Sequence, residues 1–217
     1  MLTDPQGISV SPAVLIEGGV IVNNLGQRFT DESEDIAGMV FPVMAQPDGY
    51  AWVIYDDNID AKTGYIPDMQ MLAELNTARL GADTAALAQR IGVDADALAA
   101  TLAEAHEAHK NQRADAVGRV WGAESPPSGA LRAMKVVGAI YHTQGGLQIN
   151  GEARVLRADG SALPNIFAGG GAARSVSGSS SWGYLPAMGL CTALTLGRIA
   201  GQTAARQALG SSLSDNA

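Results

Sequence analysis

An apolar run that ends in three consecutive glycines, IFAGGGAARS at residues 166–175, is the first stretch of this sequence that could do chemistry. A strand followed by a glycine-rich turn brings backbone close to a nucleotide, and Gly169 and Gly171 supply the G-x-G of a dinucleotide fingerprint. Arg174 stands where that fingerprint needs a small residue, and polar residues follow it instead of a helix. The alternative interpretation is a turn that lets two backbones pack closely.

Two further stretches carry residue types that line ligand sites. In YHTQGG at 141–146, Gly145 and Gly146 allow backbone to approach a flat ligand, and His142 can donate or accept a proton beside it. WGYLPAMGLCTAL at 182–194 predicts a helix start, whose unpaired N–H groups and positive dipole end would stabilise negative charge. A structural histidine and an ordinary buried helix entry are the alternatives.

Two histidines in EAHEAHK are candidates for metal binding, because His106 and His109 lie three residues apart on one predicted helix face. A zinc site needs further ligands at suitable spacing, and the sequence offers no third one. We therefore interpret this stretch as a solvated helix face and predict no metal site.

Turn residues and the spacing of apolar residues predict the helices and strands that position these candidate residues. Residues 18–33 predict a hairpin, AWVIYDD at 51–57 predicts a strand, and helical spacing runs from Asp68 to about Leu80. Residues 84–112 predict two helices that are split at Gly92, with Asp94 or Asp96 as the cap of the second.

After SPPSG at 125–129, which is typical of a linker or a domain return, strand character resumes. ADG at 158–160 predicts a tight turn between two strands. Residues 186–209 predict one long helix whose start is buried.

Composition and charge exclude several classes of protein. The 217 residues are 47% hydrophobic and 17% charged, as in a globular protein with a real core. Residues 18–124 carry a net charge of −10 and residues 125–217 a net charge of +4, which suggests two structural units. The arginines of the basic half are scattered, so we expect no nucleic-acid binding.

The single Cys191 and the lack of a leader-like N-terminal stretch favour a cytoplasmic location. The longest apolar stretch, residues 185–200, is shorter than the roughly 20 residues of a membrane span. We therefore expect no membrane span.

Five stretches occur in an order that points to one family: GGVIVNNLGQRFTDES, TAALAQRIGVDADALAATLAEAH, YHTQGGLQIN, ARVLRADGSALPNIFAGGGAA and GYLPAMGLCTALTLGRIAG. Together they resemble the second half of the fumarate reductase/succinate dehydrogenase-like FAD-dependent oxidoreductases, a superfamily that includes the 3-ketosteroid dehydrogenases. The resemblance runs from about residue 16 to residue 206.

The resemblance implies a mixed α+β and α/β fold with FAD as cofactor. Residues 1–17 would be a trailing segment of the flavin domain, and residues 18–124 a mostly helical cap domain with a small sheet. Residues 125–217 would be the C-terminal strands and long helix of an incomplete Rossmann-like FAD-binding domain. The implied partner is a small-molecule substrate, either anionic or a ketosteroid-like enone.

The resemblance also assigns residues to the site. The implied cofactor contacts are the flavin-facing Gly145 and Gly146, the ribityl-side Ala168, Gly169 and Gly170, and the helix-start Gly189 and Leu190. The implied catalytic residues are His142, Tyr184 and Arg174. His142 or Tyr184 would donate a proton, and Arg174 would supply a positive charge for an anionic group. The reaction would be hydride transfer to or from a C–C bond next to a carbonyl or carboxylate.

Departures from the family pattern are equally specific. The strand-GxGxxG-helix segment that holds the ADP half of FAD is missing, so we expect a fragment, a truncated gene product, or one piece of a split protein whose FAD-binding half is a separate chain. The fumarate reductases carry an arginine proton donor after the strand that matches 51–57, whereas this region has Asp60 and no arginine. The position of their second substrate-binding arginine falls within SGSSSW, where the arginine is also missing. The alternative function is a catalytically incompetent binding module that no longer holds FAD.

Overall fold

A computed structural model describes residues 1–34, 37–141, 143–185 and 188–214. The chain divides into two compact units, residues 1–139 and residues 140–217. Among the described residues, no helix combines the length and the apolar character that crossing a membrane would require.

The first unit alternates short strands and helices. In chain order these are β1 (Leu2–Thr3), α1 (Ala13–Ile16), β2 (Val20–Val22), α2 (Val40–Met44), β3 (Tyr50–Asp56), α3 (Asp57–Thr63), α4 (Pro67–Glu74), β4 (Arg79–Gly81), α5 (Thr84–Ile91), α6 (Ala95–Lys110) and β5 (Leu131–Val137).

The strands of the first unit form one antiparallel sheet. β3 lies between β2 and β5, and both β1 and β4 pair with the other edge of β5. The register of β3 against β5 runs from Tyr50 opposite Val137 to Asp56 opposite Leu131. The strand predicted at 51–57 is therefore present as β3.

Helices cover both faces of this sheet, which explains why β3 is apolar along its whole length. Alternate side chains of a strand point to opposite faces. Trp52 and Ile54 enter a core with α5 and α6, whereas Val53 and Tyr55 enter a second core with α1 to α4. This arrangement confirms the predicted mixed fold with a small sheet.

The caps of the paired helices follow the sequence. Gly92 ends α5 in the left-handed conformation at φ 74°, which glycine adopts without strain. The carboxylate of Asp94 accepts a hydrogen bond from the N–H of Ala97 at 2.7 Å, so Asp94, and not Asp96, caps α6.

The helix predicted from Asp68 to about Leu80 is shorter than expected. α4 ends at Glu74, and the chain turns at Asn76, whose φ is 50°. Residues 79–81 then form β4, because pairing with the edge of β5 satisfies their backbone groups. The prediction was wrong for this last turn, where edge pairing outweighs helical spacing.

Four charged side chains lie together in the first unit, and we call Arg28, Glu32, Asp115 and Arg119 the charged cluster. The guanidinium of Arg28 contacts the carboxylates of Glu32 at 2.7 Å and Asp115 at 2.5 Å. Arg119 contacts Glu32 at 3.4 Å. Because these groups are buried away from water, each charge is stable in the fold only while it is paired with an opposite charge.

Arg119 is the most enclosed member of the charged cluster, with a side chain that is 0% exposed. Its guanidinium donates to the carbonyl oxygens of Leu15 at 3.0 Å and Gly19 at 2.9 Å. The same group lies 3.9 Å from the centre of the Trp121 ring. One side chain thus joins the segment after α6 to the start of β2.

Acid is expected to destabilise the first unit through Asp115. Burial alone would raise the pKa of this carboxyl, but hydrogen bonds and charge from Arg28, together with the Arg119 N–H and the Trp121 indole, hold its pKa below the ordinary value. A carboxyl whose pKa is lower when folded adds stability above its unfolded pKa, and that stability disappears as the pH falls through the folded pKa.

Urea unfolding followed by tryptophan fluorescence, between about pH 7 and about pH 3, measures this loss. Asp115→Asn should be less stable than the parent near neutrality and should show a smaller decrease on acidification. An identical pH dependence of the two proteins would contradict the assignment.

The second unit contains β6 (Arg154–Leu156), β7 (Ala162–Phe167) and α7 (Met188–Ser214). β6 and β7 form an antiparallel pair around the predicted turn at 158–160. There the Asp159 carboxylate accepts from the N–H of Ser161 at 2.9 Å, and Gly160 has φ 83°. The tight-turn prediction is confirmed.

The long C-terminal helix is confirmed as α7, but the predicted burial of its start is wrong. Leu190 is 75% exposed and Leu194 is 77% exposed. Only the opposite face of the helix packs inward, where Leu196 joins a small core with Val155 and Ala168. The core of the second unit is too small to surround α7, so the helix packs against that core through one face.

The boundary between the two units lies after residue 139, whereas the sequence places a domain return at 125–129. β5 falls in the range predicted as flavin domain and pairs in the sheet of the first unit. The assignment of residues 1–17, 18–124 and 125–217 to flavin and cap domains stays a prediction.

Candidate functional site

The glycine stretches at 141–146 and 166–175 come together in the second unit. The N–H of Leu147 donates to the carbonyl of Ala172 at 2.9 Å, and the N–H of Arg174 donates back to the carbonyl of Leu147 at 3.0 Å. These bonds form a short parallel bridge beside the glycines. Two motifs that are separate in sequence thus build one local surface.

Gly146 is needed for this close approach. A Cβ atom at residue 146 would stand 2.4 Å from the carbonyl carbon of Ala173, closer than side chains ever lie. At Gly145, by contrast, the nearest atom would be the hydroxyl of Thr143 at 3.9 Å. Gly146 therefore allows two backbones to pack closely, and its predicted contact with the flavin stays a prediction.

The glycine turn after β7 packs against α7. A Cβ on Gly169 would lie 3.0 Å from the Cβ of Leu196, and one on Gly170 would lie 3.1 Å from the Cβ of Ala193. Residues 170–172 form a single 3-10 turn and do not enter a helix. The arrangement differs from the strand-turn-helix of a pyrophosphate site, as the sequence predicts.

A cavity of about 290 Å³ opens between this turn, the segment that follows it and the start of α7. Five residues predicted for the site line it: Gly170, Arg174, Tyr184, Gly189 and Leu190. The other predicted residues with a described position do not line the cavity: Gly145, Gly146, Ala168 and Gly169. His142 lies outside the described residues.

Sequence reasoning missed several polar side chains of this cavity. Gln144, Ser175, Ser177 and Thr192 also line it. Ser175 and Ser177 belong to the polar run around RSVSGSSS, which flanks the glycine turn, whereas Gln144 lies in YHTQGG and Thr192 in the first turns of α7. That run was interpreted only as a departure from known patterns.

The electrostatics of the cavity favour negative charge. Arg174 is the one charged side chain among the described residues that line it. The first turn of α7 begins at Met188, and the unpaired N–H groups of a helix start carry partial positive charge. Within this turn the N–H of Met188 donates to the carbonyl of Leu185 at 3.3 Å, and the hydroxyl of Thr192 donates to the carbonyl of Met188 at 2.8 Å.

The residues present fit a flat ring that becomes negatively charged. Gly171 and Gly189 line the cavity, and no atom lies within 4 Å of the place where a Cβ would stand at either residue. Their bare backbone therefore faces open space, next to the positive end of α7. A reduced isoalloxazine, which carries negative charge at its pyrimidine side, suits this surface.

Metal binding has no support in the part of the chain that the structure describes. No group of three His, Cys, Asp or Glu residues is arranged there to hold an ion. In the first unit, the Nε2 of His106 lies 3.0 Å from the carbonyl of Pro127, and the ring of His109 meets Trp121 edge-on.

Known proteins share both the sequence pattern and the fold. Residues 1–189 match the profile of the family described as FAD binding domain. NADH:fumarate oxidoreductase of Klebsiella pneumoniae (strain 342) is 26% identical over 202 residues, which are 93% of this chain and 21% of that protein.

Two solved structures agree with this result. The open conformation of a flavocytochrome c3 fumarate reductase matches with a TM-score of 0.73 and 27% identity, over 96% of this chain and 36% of that chain. The 3-ketosteroid delta1-dehydrogenase from Sterolibacterium denitrificans matches with a TM-score of 0.64 and 23% identity, over 92% of this chain and 40% of that chain. The latter shows a shared fold.

The chain spans about a fifth to two fifths of the length of these relatives. The predicted resemblance to fumarate reductase-like FAD-dependent oxidoreductases is confirmed, and FAD is the cofactor of this family. Because the family profile matches 1–189, most of the sequence, the chain belongs to the FAD binding domain family, with fumarate reductase-like oxidoreductases as its relatives.

Proposed function

We propose that this chain forms the ring-side part of the site of an FAD-dependent oxidoreductase, which moves a hydride to or from a C–C bond next to a carbonyl or carboxylate. The observation that carries this proposal is the cavity where the glycine turn, the start of α7, Tyr184 and Arg174 converge. Bound FAD would supply or accept the hydride, and the chain's own residues would do the remaining work.

The glycine turn and α7 would hold the cofactor ring. Gly170, Gly171 and Gly189 present backbone without side chains, which lets a planar group lie against them. The N–H groups in the first turn of α7, around Gly189 and Leu190, would stabilise the negative charge that reduction places on the ring. Gly146 and Gly169 do not line the cavity, and their close packing would fix the turn in place.

A tyrosine and a cation would act on the substrate. Tyr184 lines the cavity and would transfer a proton to or from the carbon next to the activating group. His142, the sequence neighbour of the lining residue Thr143, is the second candidate for this proton. Arg174 would attract a carboxylate or the oxygen of an enone.

Tyr184→Phe is expected to lower the turnover number by roughly 100-fold to 10,000-fold with little change in FAD affinity, because only the proton donor is lost. Stopped-flow measurement of flavin reoxidation by an unsaturated substrate would report the rate. Tyr65→Phe, the same change at an exposed tyrosine of the first unit, is the matched control. Unchanged turnover in Tyr184→Phe would remove this residue from the mechanism.

Further polypeptide would complete the cofactor site. The ADP half of FAD requires a strand-GxGxxG-helix segment. The chain spans 21% of the Klebsiella NADH:fumarate oxidoreductase and 36% of the flavocytochrome c3 chain, which leaves room for such a segment elsewhere. In our proposal a separate chain that carries this FAD-binding half is the protein partner.

Flavin binding tests the proposal directly. The purified chain is expected to take up FAD in equilibrium dialysis and to show the absorbance bands of oxidised flavin, shifted from those of free FAD. Binding of riboflavin with comparable affinity would locate the contacts on the ring side, as the cavity requires. Protein that binds neither compound, alone or with a supplied FAD-binding half, would contradict the proposal.

A second function has one observation in its favour. The cavity of about 290 Å³ is at the small end of the range for ligand pockets, roughly 300 to 1,000 Å³, and FAD is a large ligand. A binding module without FAD, which uses the cavity for a small anion, would fit that volume. In that case the chain would bind small carboxylates and take up no flavin under any condition.

A further inference from the structure

We propose that Asn150 and Gly151 form a self-modification site, at which the side-chain amide of Asn150 is lost as ammonia through attack by the backbone nitrogen of Gly151. This modification is independent of the proposed function and needs no FAD. The two residues are the one asparagine–glycine pair in the sequence. Glycine has no Cβ, so the backbone nitrogen that follows the asparagine is open to a close approach.

The side chain of Asn150 is held in place by the tight turn that precedes β6. Its Oδ1 atom accepts hydrogen bonds from the N–H of Glu152 and from the N–H of Arg154, each at 3.0 Å. In the main chain, the N–H of Asn150 donates to the carbonyl of Arg154 at 3.0 Å. These bonds fold the side chain of Asn150 back along the chain, across residue 151.

The two N–H groups also activate the side-chain amide. When a nucleophile adds to its Cγ atom, negative charge develops on Oδ1, and donors that already point at this oxygen stabilise that charge. Two such donors are in place at Asn150 before any reaction begins. The turn therefore provides for its own asparagine what an oxyanion hole provides for a bound substrate.

The nucleophile and the leaving group are both accessible. In the described part of the chain, neither the N–H of Gly151 nor the Nδ2 amide of Asn150 has a hydrogen-bond partner. Gly151 is exposed, and no atom lies within 4 Å of the place where its Cβ would stand. Solvent can therefore remove the proton of the Gly151 nitrogen, and ammonia can leave to solvent.

The reaction balances with water as its only further reactant. The Gly151 nitrogen loses its proton to solvent and forms a bond to the Cγ atom of Asn150. The bond between Cγ and Nδ2 breaks, ammonia leaves with a proton from solvent, and a cyclic imide remains. Water then opens the imide, either at Cγ to give an aspartyl residue or at the main-chain carbonyl carbon to give an isoaspartyl residue.

The isoaspartyl product would loosen the glycine turn. Ala153 is completely buried with φ 60°. Its N–H donates to the carbonyl of Asn150 at 3.0 Å, and its own carbonyl accepts from the N–H of Ala168 at 3.1 Å. Ala168 directly precedes the glycines at 169–171. Because an isoaspartyl residue lengthens the main chain by one carbon atom and displaces the carbonyl that holds Ala153, this connection to the glycine turn is weakened.

Peptide mass spectrometry of the folded chain measures the modification. During incubation in heavy-oxygen water at mildly alkaline pH, the peptide with Asn150 should gain one heavy oxygen atom at least roughly tenfold faster than the peptides with Asn58 or Asn165. Unfolding the chain in urea removes the two donors and should slow the reaction of Asn150. A faster reaction in urea, or equal rates at the three asparagines, would overturn the proposal.

Gly151→Ala tests the nucleophile. The added Cβ would stand in open space, and the backbone of Gly151 is outside the left-handed region, so the variant should fold as the parent does. The methyl group hinders ring closure, and the modification should slow at least roughly tenfold. The matched control is Gly201→Ala in α7, which also adds a Cβ in open space and should leave the rate unchanged. An unchanged rate in Gly151→Ala contradicts the assigned nucleophile.

The effect on the turn has its own measurement. Ion-exchange chromatography separates the modified chain, because either product adds a negative charge at neutral pH. The isoaspartyl fraction should unfold at a lower urea concentration than the fresh chain. Asn150→Asp keeps the Oδ1 acceptor and should unfold as the parent does. Equal unfolding of the isoaspartyl fraction and the fresh chain would overturn the predicted link between residue 150 and the glycine turn.

Discussion

Replacing Arg119 by methionine is expected to lower the free energy of unfolding of the first unit by about 3 to 5 kcal/mol. Methionine fills much of the volume but donates no hydrogen bond, so the buried carbonyl of Gly19 loses its side-chain donor and that of Leu15 keeps only the N–H of Gly18. Glu32 keeps only Arg28 as a cation. The stacking of the guanidinium on Trp121 is lost as well.

Chemical denaturation followed by far-UV circular dichroism gives this free energy. If Arg119→Met does not fold at all, Arg119→Lys supplies an intermediate case, because it keeps the charge and loses the planar fork. The matched control is Arg113→Met, which breaks the exposed pair with Glu104 and should cost less than about 1 kcal/mol. Equal losses in Arg119→Met and Arg113→Met would show that burial of the charged cluster is unimportant.

Gly146→Ala is expected to have the largest effect of any Gly→Ala change among the glycines that are predicted to contact the cofactor. The added Cβ would meet the backbone of Ala173 at 2.4 Å, and backbone cannot rotate away as a side chain can. The bridge between Leu147 and Ala173 must open, at a cost of about 1 to 3 kcal/mol. The turn that carries Gly170 then shifts, and FAD or riboflavin affinity should fall at least roughly tenfold.

The control for this experiment is the adjacent residue. Gly145→Ala adds the same methyl group where the nearest atom is 3.9 Å away, so folding should be unchanged. Flavin affinity measured by fluorescence quenching and stability measured by denaturation should separate the two variants. If both variants behave as the parent does, the close approach at Gly146 has no part in the site.

Local signals in the sequence predicted those elements that local interactions decide. Gly92 and Asp94 mark the break between α5 and α6 because the left-handed turn and the side-chain cap involve only neighbouring residues. The turn at 158–160 is predictable for the same reason. β4 was missed, because its pairing with β5 joins residues about 50 positions apart and its own three residues give no strand signal.

The candidate site was predicted only in part. The glycines at 145, 146, 169 and 170 were identified by type and order, but the sequence could not separate backbone packing from ligand contact. In the structure Gly146, Gly169 and Gly170 all pack closely against other residues, and of these three Gly170 also lines the cavity. Ser177 was missed, since a serine in a polar run looks the same whether its hydroxyl faces solvent or a cavity.

The charged cluster also escaped sequence reasoning. RFTDES was noticed as a family pattern, yet nothing in it shows that Arg28 reaches Asp115, which lies far along the chain. Arg119 lies in a segment with net negative charge, and its neighbours in the sequence do not mark it as buried. Tertiary packing decides which charged side chains are buried. The residues next to a charged side chain in the sequence do not reveal that packing.

The position of β5 sets the order in which the first unit can assemble. β5 pairs with β1, β3 and β4, and its register places Leu2 opposite Val137. During synthesis on the ribosome, β1 to β4 therefore leave the exit tunnel long before the strand that unites them. Such non-local pairing makes folding slow, and the apolar β3 would need protection from aggregation until residue 137 has emerged.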